Sequence, residues 1–563
     1  MKRFVLLLIA GVVCVSCVNN LDGIEVDNEV ENTCLNDLLN LTDGVVIGEK
    51  LRNPYSIEVM KEACDLLYPP TRGETPASDT IIVPNVKYVR FLPADSTEFR
   101  LLMESGLELF NYPLDYEILG NPNDYRDPSI PPYRIQWQYT VMPIDQVMPI
   151  GNGEILELGY IPELDMPNLD VDLTELEQTA LGIVLEKYTN GPVENPFPTG
   201  GGTSSGGGST SNGTNSPAPT GRITISDNGT TVGVKGIKVR ARNFFRIITE
   251  YTNENGEYYI DLDDILCPWF ELRFHNRYGF EIGYGAQVIM PMSTFMGFDT
   301  DFSCTKDSDQ KSWVACTINN AAYDWYNRCV EEGMPTPPND LYIWAIEEFE
   351  GASCPMLHHG VLRELGLTSD LVSLVLFGDE FSNIILDALE ILVEMVGPDV
   401  TVCDVDNCTT HKIYEYVSHE LAHATHYMQL GSNDIMRSQW WSYVFGYEVQ
   451  CMINSNFQEV YEHPNVPRGE RAGITEMWAH AVGHICGYEH RNKEVSIYGY
   501  YDEYWFAPEI LLVLYDEGMT LKQISDCMTS DVVTLEGFRE RLMENNSSDA
   551  AMINYLFDYY LND

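Results

Sequence analysis

The chain has 563 residues and carries 85 acidic against 33 basic side chains, which gives a formal net charge of −52. A surface this acidic repels phosphate backbones, so general binding to nucleic acid is excluded. Hydrophobic residues make up 44% of the chain and aromatic residues 11%, too much apolar surface for a disordered polyanion. At about 150 residues per domain, the length predicts three or four folded domains.

The first residues have the pattern of an export signal. Residues 1–16 join a basic start to an apolar run that is too short to span a bilayer as a helix. The junction Val-Ser-Cys resembles a bacterial lipoprotein signal, which implies cleavage before Cys17 and lipid attached to that cysteine. We therefore expect an exported lipoprotein, anchored through Cys17 to the outer membrane or at the cell surface. Residues 17–33 are then a tether, and the alternative is an ordinary signal peptide without lipid.

Two regions of contrasting composition follow. Residues 34–197 mix helical periodicity, as at 57–67, with alternating strand patterns, as at 86–93, and predict a mixed α/β domain. This region contains no histidine and no phosphate-binding loop, so we assign it no chemistry. Residues 198–220 consist almost wholly of Gly, Ser, Thr, Asn and Pro, the composition of a flexible linker. We therefore expect units that fold separately on its two sides.

The next region, residues 221–290, has short β-branched runs separated by Asn-Gly and Gly turns. This pattern is typical of an all-β sandwich. The stretches GRI, VKGIKV and TNENGEYYI, which begin at 221, 234 and 252, resemble the strand, strand and turn-plus-strand pattern of the carboxypeptidase regulatory-like family. The resemblance implies a small accessory β-sandwich and carries no implication of peptidase activity for this module.

Helical periodicity dominates residues 300–563 and predicts a mainly helical C-terminal domain. Its central feature is the sequence HELAH, in a run without Gly or Pro that is expected to form one helix. His419 and His423 then lie about 40° apart around the helix and one turn apart along it, so both imidazoles can bind one metal ion. Zn²⁺ suits these nitrogen ligands, and Glu420 is placed to accept a proton from a zinc-bound water. The alternative is a helix that carries two surface histidines.

A second helical stretch, residues 474–484, carries a single carboxylate, Glu476. Together with HELAH it resembles the gluzincin branch of zinc metallopeptidases, in which a glutamate on a second helix is the third ligand. The resemblance implies a zincin-like domain that hydrolyses peptides, with Glu420 as the general base. It implies three ligands for Zn²⁺, namely His419, His423 and Glu476. Position 480, an aspartate in a thermolysin-like pattern, is a histidine in this chain.

Three histidines compete with Glu476 for the place of third ligand, namely His426, His480 and His484. His426 lies on the same stripe as His419 but about 10.5 Å further along the helix axis, too far for ligands that each reach about 2 Å. His480 and His484 share a helical face with Glu476, so each can ligate while the glutamate supports it. The candidates for a group that stabilises the transition state or orients the ligands are His480, His484 and Tyr488.

The sequence as a whole predicts a multidomain α+β protein with a mixed α/β N-terminal domain, a small β-sandwich and a mainly helical, zincin-like C-terminal domain. The expected function is zinc-dependent hydrolysis of a peptide or protein substrate. One alternative is a surface binding or adhesion lipoprotein with a vestigial zinc site, which the intact Glu420 argues against. Another is a hydrolase of a cell-wall peptide amide.

Overall fold

The structure of the chain is a computed structural model. The described residues are 47–70, 75–94, 96–119, 125–130, 135–162, 172–188, 218–262, 265, 268–284, 291–345, 352–354, 356, 359, 398–402, 405, 408–431, 433–454, 467–493 and 504–561. The export signal 1–16, Cys17, the tether 17–33 and all but the end of the linker 198–220 lie outside them. Of the described helices, none is long and apolar enough to cross a membrane.

The N-terminal unit combines helices with two small sheets. One sheet pairs two strands, β1 (Ile47–Lys50) and β3 (Tyr116–Ile118). The other is antiparallel, with β2 (Val86–Phe91) between β4 (Gln138–Pro143) and β5 (Gly153–Gly159). The described helices of this unit are α1 (Ile57–Leu67), α2 (Ser78–Ile81), α3 (Ser96–Met103) and α4 (Leu173–Tyr188). Helix α1 begins after Ser56, whose hydroxyl accepts a hydrogen bond from the Val59 N–H and so satisfies a free donor of the first turn.

Two further sheets follow the linker. The smaller one contains β6 (Gly221–Asp227), β7 (Thr230–Gly233), β10 (Glu257–Tyr258) and β14 (Phe302–Cys304), with β6 paired to the other three. The larger one contains β8 (Ile237–Asn243), β9 (Arg246–Tyr251), β11 (Trp269–Asn276), β12 (Glu281–Tyr284), β13 (Ser293–Gly297), β15 (Tyr342–Ala345), β16 (Ala352–Ser353) and β17 (Val400–Val402).

The larger sheet crosses the boundary between the two predicted domains 221–290 and 300–563. Its strand order is β16-β17-β15-β12-β11-β8-β9, and β13 pairs with β11. Strands β12, β15 and β17 run parallel, whereas β16 is antiparallel at the edge. Buried side chains from both regions, such as Leu272 and Leu421, belong to one hydrophobic core. A shared sheet and a shared core therefore join the β-rich region to the helical one.

The C-terminal region is mostly helical. Its described helices are α5 (Gln310–Glu332), α6 (Thr410–Gln429), α7 (Asp434–Asn454), α8 (Pro467–His490), α9 (Glu509–Asp516), α10 (Leu521–Ser525), α11 (Leu535–Asn545) and α12 (Ala550–Leu561). Helix α5 is bounded by Asp309, which accepts from the Ser312 N–H, and by Gly333, whose φ of 73° closes the last turn. The described chain is thus mixed α/β with several sheets and a helical C-terminal region, which confirms the predicted fold class at this level.

The N-terminal unit docks on the hairpin formed by β8 and β9. The turn of this hairpin consists of Phe244 and Phe245, which are both buried in the core of the N-terminal unit. Phe244 has a left-handed backbone with φ 47°, which is uncommon for a bulky residue. Each buried phenylalanine contributes about 1.5–3 kcal/mol relative to an exposed one. The linker composition predicts separate units, and the structure adds a specific contact between them.

Charged groups reinforce this contact. The Arg240 side chain is completely buried, pairs with Glu271 at 2.5 Å, and donates to the Leu109 carbonyl of the N-terminal unit at 3.3 Å. Arg246 pairs with Glu177 of α4 at 2.9 Å. Removing one partner of a buried ion pair typically costs about 3–5 kcal/mol, because the other charge stays buried without compensation. The interface therefore fixes the orientation of the N-terminal unit on the sheet.

We expect the two halves of the chain to stay together after the linker is cut. A specific protease site placed within 198–217 should yield two fragments that co-elute in size-exclusion chromatography. Replacing both Phe244 and Phe245 by Ala should separate them, since each buried Phe→Ala change costs about 3–5 kcal/mol. Phe298→Ala is the matched control, because Phe298 is 67% exposed. If the fragments of the unaltered chain elute separately, the contact is too weak to hold the two halves together.

Candidate metal centre

The HELAH motif lies in the interior of helix α6, which runs from Thr410 to Gln429 and confirms the predicted helix. His419 and His423 are buried, and Glu420 is completely inaccessible to solvent. The Nε2 atoms of the two histidines lie 3.1 Å apart. Because both imidazoles are buried and converge on one point, the alternative of two surface histidines is wrong.

Glu476 reaches the same point from helix α8. Its Oε1 lies 3.3 Å from Nε2 of His423, and its Oε2 lies 3.4 Å from Nε2 of His419. The side chain is only 1% exposed. One carboxylate thus faces both imidazoles, although the two helices are separated by a long stretch of chain. The structure brings together the three residues that the gluzincin resemblance implies as ligands.

The spacing of these three side chains fits a zinc ion. Ligand atoms about 2.0–2.1 Å from one ion, at tetrahedral angles, lie about 3.3–3.4 Å from one another. The two Nε2 atoms are 3.1 Å apart, and the nearest Glu476 oxygens are 3.3 Å from His423 (Oε1) and 3.4 Å from His419 (Oε2), so each separation is close to this value but the last two end on different oxygens. Two imidazole nitrogens and one carboxylate oxygen are also the donor types that zinc prefers in catalytic sites. Together they leave one tetrahedral position for a further ligand.

The protonation states of the site suit a metal ion. Burial raises the pKa of Glu476, but the charge of His423 and hydrogen bonds from both histidines outweigh burial and hold that pKa below its ordinary value of 4.5. Burial lowers the pKa of His419 below 6.5, and the hydrogen bond with Glu476 compensates only in part. At neutral pH the carboxylate is therefore ionised and the His419 imidazole is neutral, the forms in which these groups bind zinc.

Helices α6 and α8 approach each other closely at Gly483. A Cβ atom on this glycine would lie 2.8 Å from the Glu415 carbonyl oxygen and 3.0 Å from the Cβ of His419. One turn later, a Cβ on Gly487 would lie 3.1 Å from the Cβ of Glu415. The missing side chains let the two backbones come near enough for Glu476 to reach the histidines.

Two buried tryptophans hold the motif helix against its neighbours. Trp478 of α8 donates through its indole N–H to the Ala422 carbonyl, inside the motif, at 3.0 Å. Trp325 of α5 donates to the Thr425 hydroxyl at 3.0 Å. Both bonds act within two residues of His423, so the packing of three helices sets the position of its imidazole.

Glu420 lies beside the ligand atoms. Its Oε1 is 3.7 Å from Nε2 of His419, and its ligand atom lies within 4.8 Å of those of His419 and His423. A carboxylate at this place can accept a proton from a water molecule bound next to the histidine nitrogens. The position agrees with the role of general base and differs from that of Glu476, which contacts both imidazoles.

Helix α8 brings a third histidine, His480, to the centre. Its Nε2 lies 3.7 Å from Oε2 of Glu476, and its ring centre is 4.6 Å from that of His419. Burial, followed by the proximity of His419, lowers the pKa of His480 well below 6.5. The ring packs against Tyr504 and Phe506, at 4.6 and 5.6 Å between centres. These two aromatic contacts were not predicted from the sequence. The only indication of them there is the aromatic run Tyr-Trp-Phe shortly before a proline.

The other candidate residues lie further from the ligand atoms. His484 packs its ring on Tyr488 at 4.4 Å, and it follows Glu476 by two helical turns, about 12 Å along the axis. His426 is buried against Trp440 with 5.2 Å between ring centres. Burial, then His423, lowers the pKa of His426 to about 3, so its imidazole is a neutral packing group.

Comparison with protein-family models, with curated proteins and with solved structures gives no match to this chain.

Glycine at position 483 is expected to be necessary for both folding and metal binding. Gly483→Ala should lower the free energy of unfolding by about 1–3 kcal/mol, because the methyl group forces two packed backbones apart. It should also weaken zinc binding, since Glu476 moves away from the histidines. Thermal unfolding and competition with a zinc chelator measure the two effects.

Gly182→Ala is the matched control, because Gly182 lies in helix α4 with open space where a Cβ would stand. Alanine favours a helix over glycine by about 0.5–1 kcal/mol, so this variant should keep or gain stability. Equal changes in stability and in zinc affinity for the two variants would show that the close approach of α6 and α8 at Gly483 is not required.

We expect Glu476 to contribute a ligand and His426 none. Glu476→Ala should reduce zinc affinity by more than the roughly 10–100-fold typical of losing a supporting contact. His426→Ala should retain zinc, because that ring packs on tryptophan. Chelator competition on both purified variants tests the assignment, and the reverse order of affinities would overturn it.

Proposed function

We propose that this protein is a zinc-dependent peptidase of the gluzincin type. The observation that carries the proposal is the meeting of Glu476 with His423 and His419 at 3.3 and 3.4 Å, with the buried carboxylate of Glu420 alongside. The residues that would hold Zn²⁺ are His419, His423 and Glu476. A vestigial site gives no reason to keep a fully buried carboxylate in the place of the base, because burying a charged group is costly.

The proposal extends to the finer architecture. A zincin-like C-terminal domain is supported by α6 and α8, which present the ligands from two packed helices. A small β-sandwich is supported by the smaller sheet and by strands β8 and β11, since Ile223, Val239 and Leu272 share one core.

When bound, zinc lowers the pKa of its water to about 7 and polarises the carbonyl of the peptide bond. Glu420 takes the proton from the attacking water and passes it to the nitrogen of the leaving amine. Its burial excludes bulk water that would otherwise compete for the proton. His419 and His423, whose helix is held by Trp478 and Trp325, would keep the ion beside Glu420.

Location and substrate complete the proposal. Export and lipid attachment at Cys17 are supported by the composition of the first 17 residues. A peptide or protein is the proposed substrate. With a net charge of −52, the surface repels acidic partners, so basic and neutral peptides are the favoured class.

Glu420→Gln is the decisive test of the reaction. The variant should keep its zinc and lose hydrolysis by about 10²–10⁴-fold, the usual contribution of a general base. A diverse peptide mixture analysed by mass spectrometry, with and without a chelator, measures the activity. Glu415→Gln is the matched control on the same helix, because the half-buried Glu415 pairs with Lys412. A Glu420→Gln protein with zinc and full activity would eliminate Glu420 as the base.

A further inference from the structure

The fourth position of the proposed zinc site has a protein side chain beside it. His419, Glu476 and His480 offer ligand atoms that all lie within 4.8 Å of one another. Nε2 of His480 is 3.7 Å from Oε2 of Glu476, and two ligands of a tetrahedral zinc are about 3.3–3.4 Å apart. His480 therefore shares a group of ligand atoms with two of the three proposed ligands, and a movement of its side chain toward them would complete a set of four.

The surroundings of His480 direct its ring toward the ligands. Tyr504 and Phe506 stack on each other at 4.8 Å and pack against the imidazole. The next residue, Ala507, has a left-handed backbone with φ 43° just before Pro508. Such a conformation costs roughly 1–3 kcal/mol for a residue other than glycine. The surrounding packing therefore maintains a strained turn that keeps two aromatic rings against His480.

We propose that His480 is a fourth side-chain ligand of the bound zinc in the resting protein. This inference rests on the proposed zinc site. Zinc held by four side chains is closed, whereas catalytic zinc keeps one position for water. Hydrolysis then requires the His480 imidazole to leave the ion, so that a water molecule takes its place next to Glu420. His480 thus regulates the site by occupying the position that the reaction needs.

Counting imidazoles around zinc tests the inference without reference to activity. X-ray absorption at the zinc K-edge on the full chain should report three imidazoles for the unaltered protein and two for His480→Ala. His484→Ala is the matched control, a buried histidine one turn further along the same helix, and should still give three. His480→Asn provides a second variant with a side chain that keeps the polarity, and it should also give two.

Peptide hydrolysis measured on the same samples separates this inference from the proposed function. We expect His480→Ala to hydrolyse peptides faster than the unaltered protein, because its water position is open. Two imidazoles in the unaltered protein would overturn the role of His480 and leave the peptidase proposal standing. Three imidazoles, with no hydrolysis by either protein, would support the ligand and overturn the peptidase.

Discussion

The close approach of helices α6 and α8 is the constraint on which the candidate site depends. A metal ion needs its ligand atoms a few ångströms apart, yet two of the proposed ligands stand on one helix and the third on another. Only backbones in near contact allow this, and Gly483 provides the contact, since any Cβ there would press on the Glu415 carbonyl oxygen. The indole N–H of Trp478 on α8 also donates a hydrogen bond to the Ala422 carbonyl of α6. Sterics and one directional hydrogen bond together define the distance between the proposed ligands.

Neighbouring helices and the larger sheet support this pair of helices. Helix α5 packs beneath α6 through Trp325, and strands β16 and β17 contact α6 from the edge of the larger sheet. Because that sheet continues into β11, β8 and β9, the β-rich region shares its core with the helical region. Protein interiors are densely packed and transmit strain, so a structural change in one region displaces side chains in the other.

The sequence predicts best what is local. The helix around HELAH and the shared face of His419 and His423 follow from a spacing of four residues, and the structure agrees. Glu476 could be singled out only through a family resemblance, because no local rule links residues on different helices. The contact of Tyr504 and Phe506 with His480, and the insertion of Phe244 and Phe245 into the N-terminal unit, were not predictable. Two phenylalanines in a hairpin turn contradict turn propensities, and only a partner surface explains them.

The strand order of the larger sheet also sets the distance between the N-terminal unit and the motif helix. Strand β9, where the N-terminal unit docks, lies five strand spacings from β17, which borders the motif helix. At about 4.8 Å per spacing, this amounts to about 24 Å. The N-terminal unit therefore lies at the opposite end of the larger sheet from the motif helix. Ile47, the first described residue, belongs to that unit, so the described chain begins at the end of the larger sheet that lies opposite the candidate metal site.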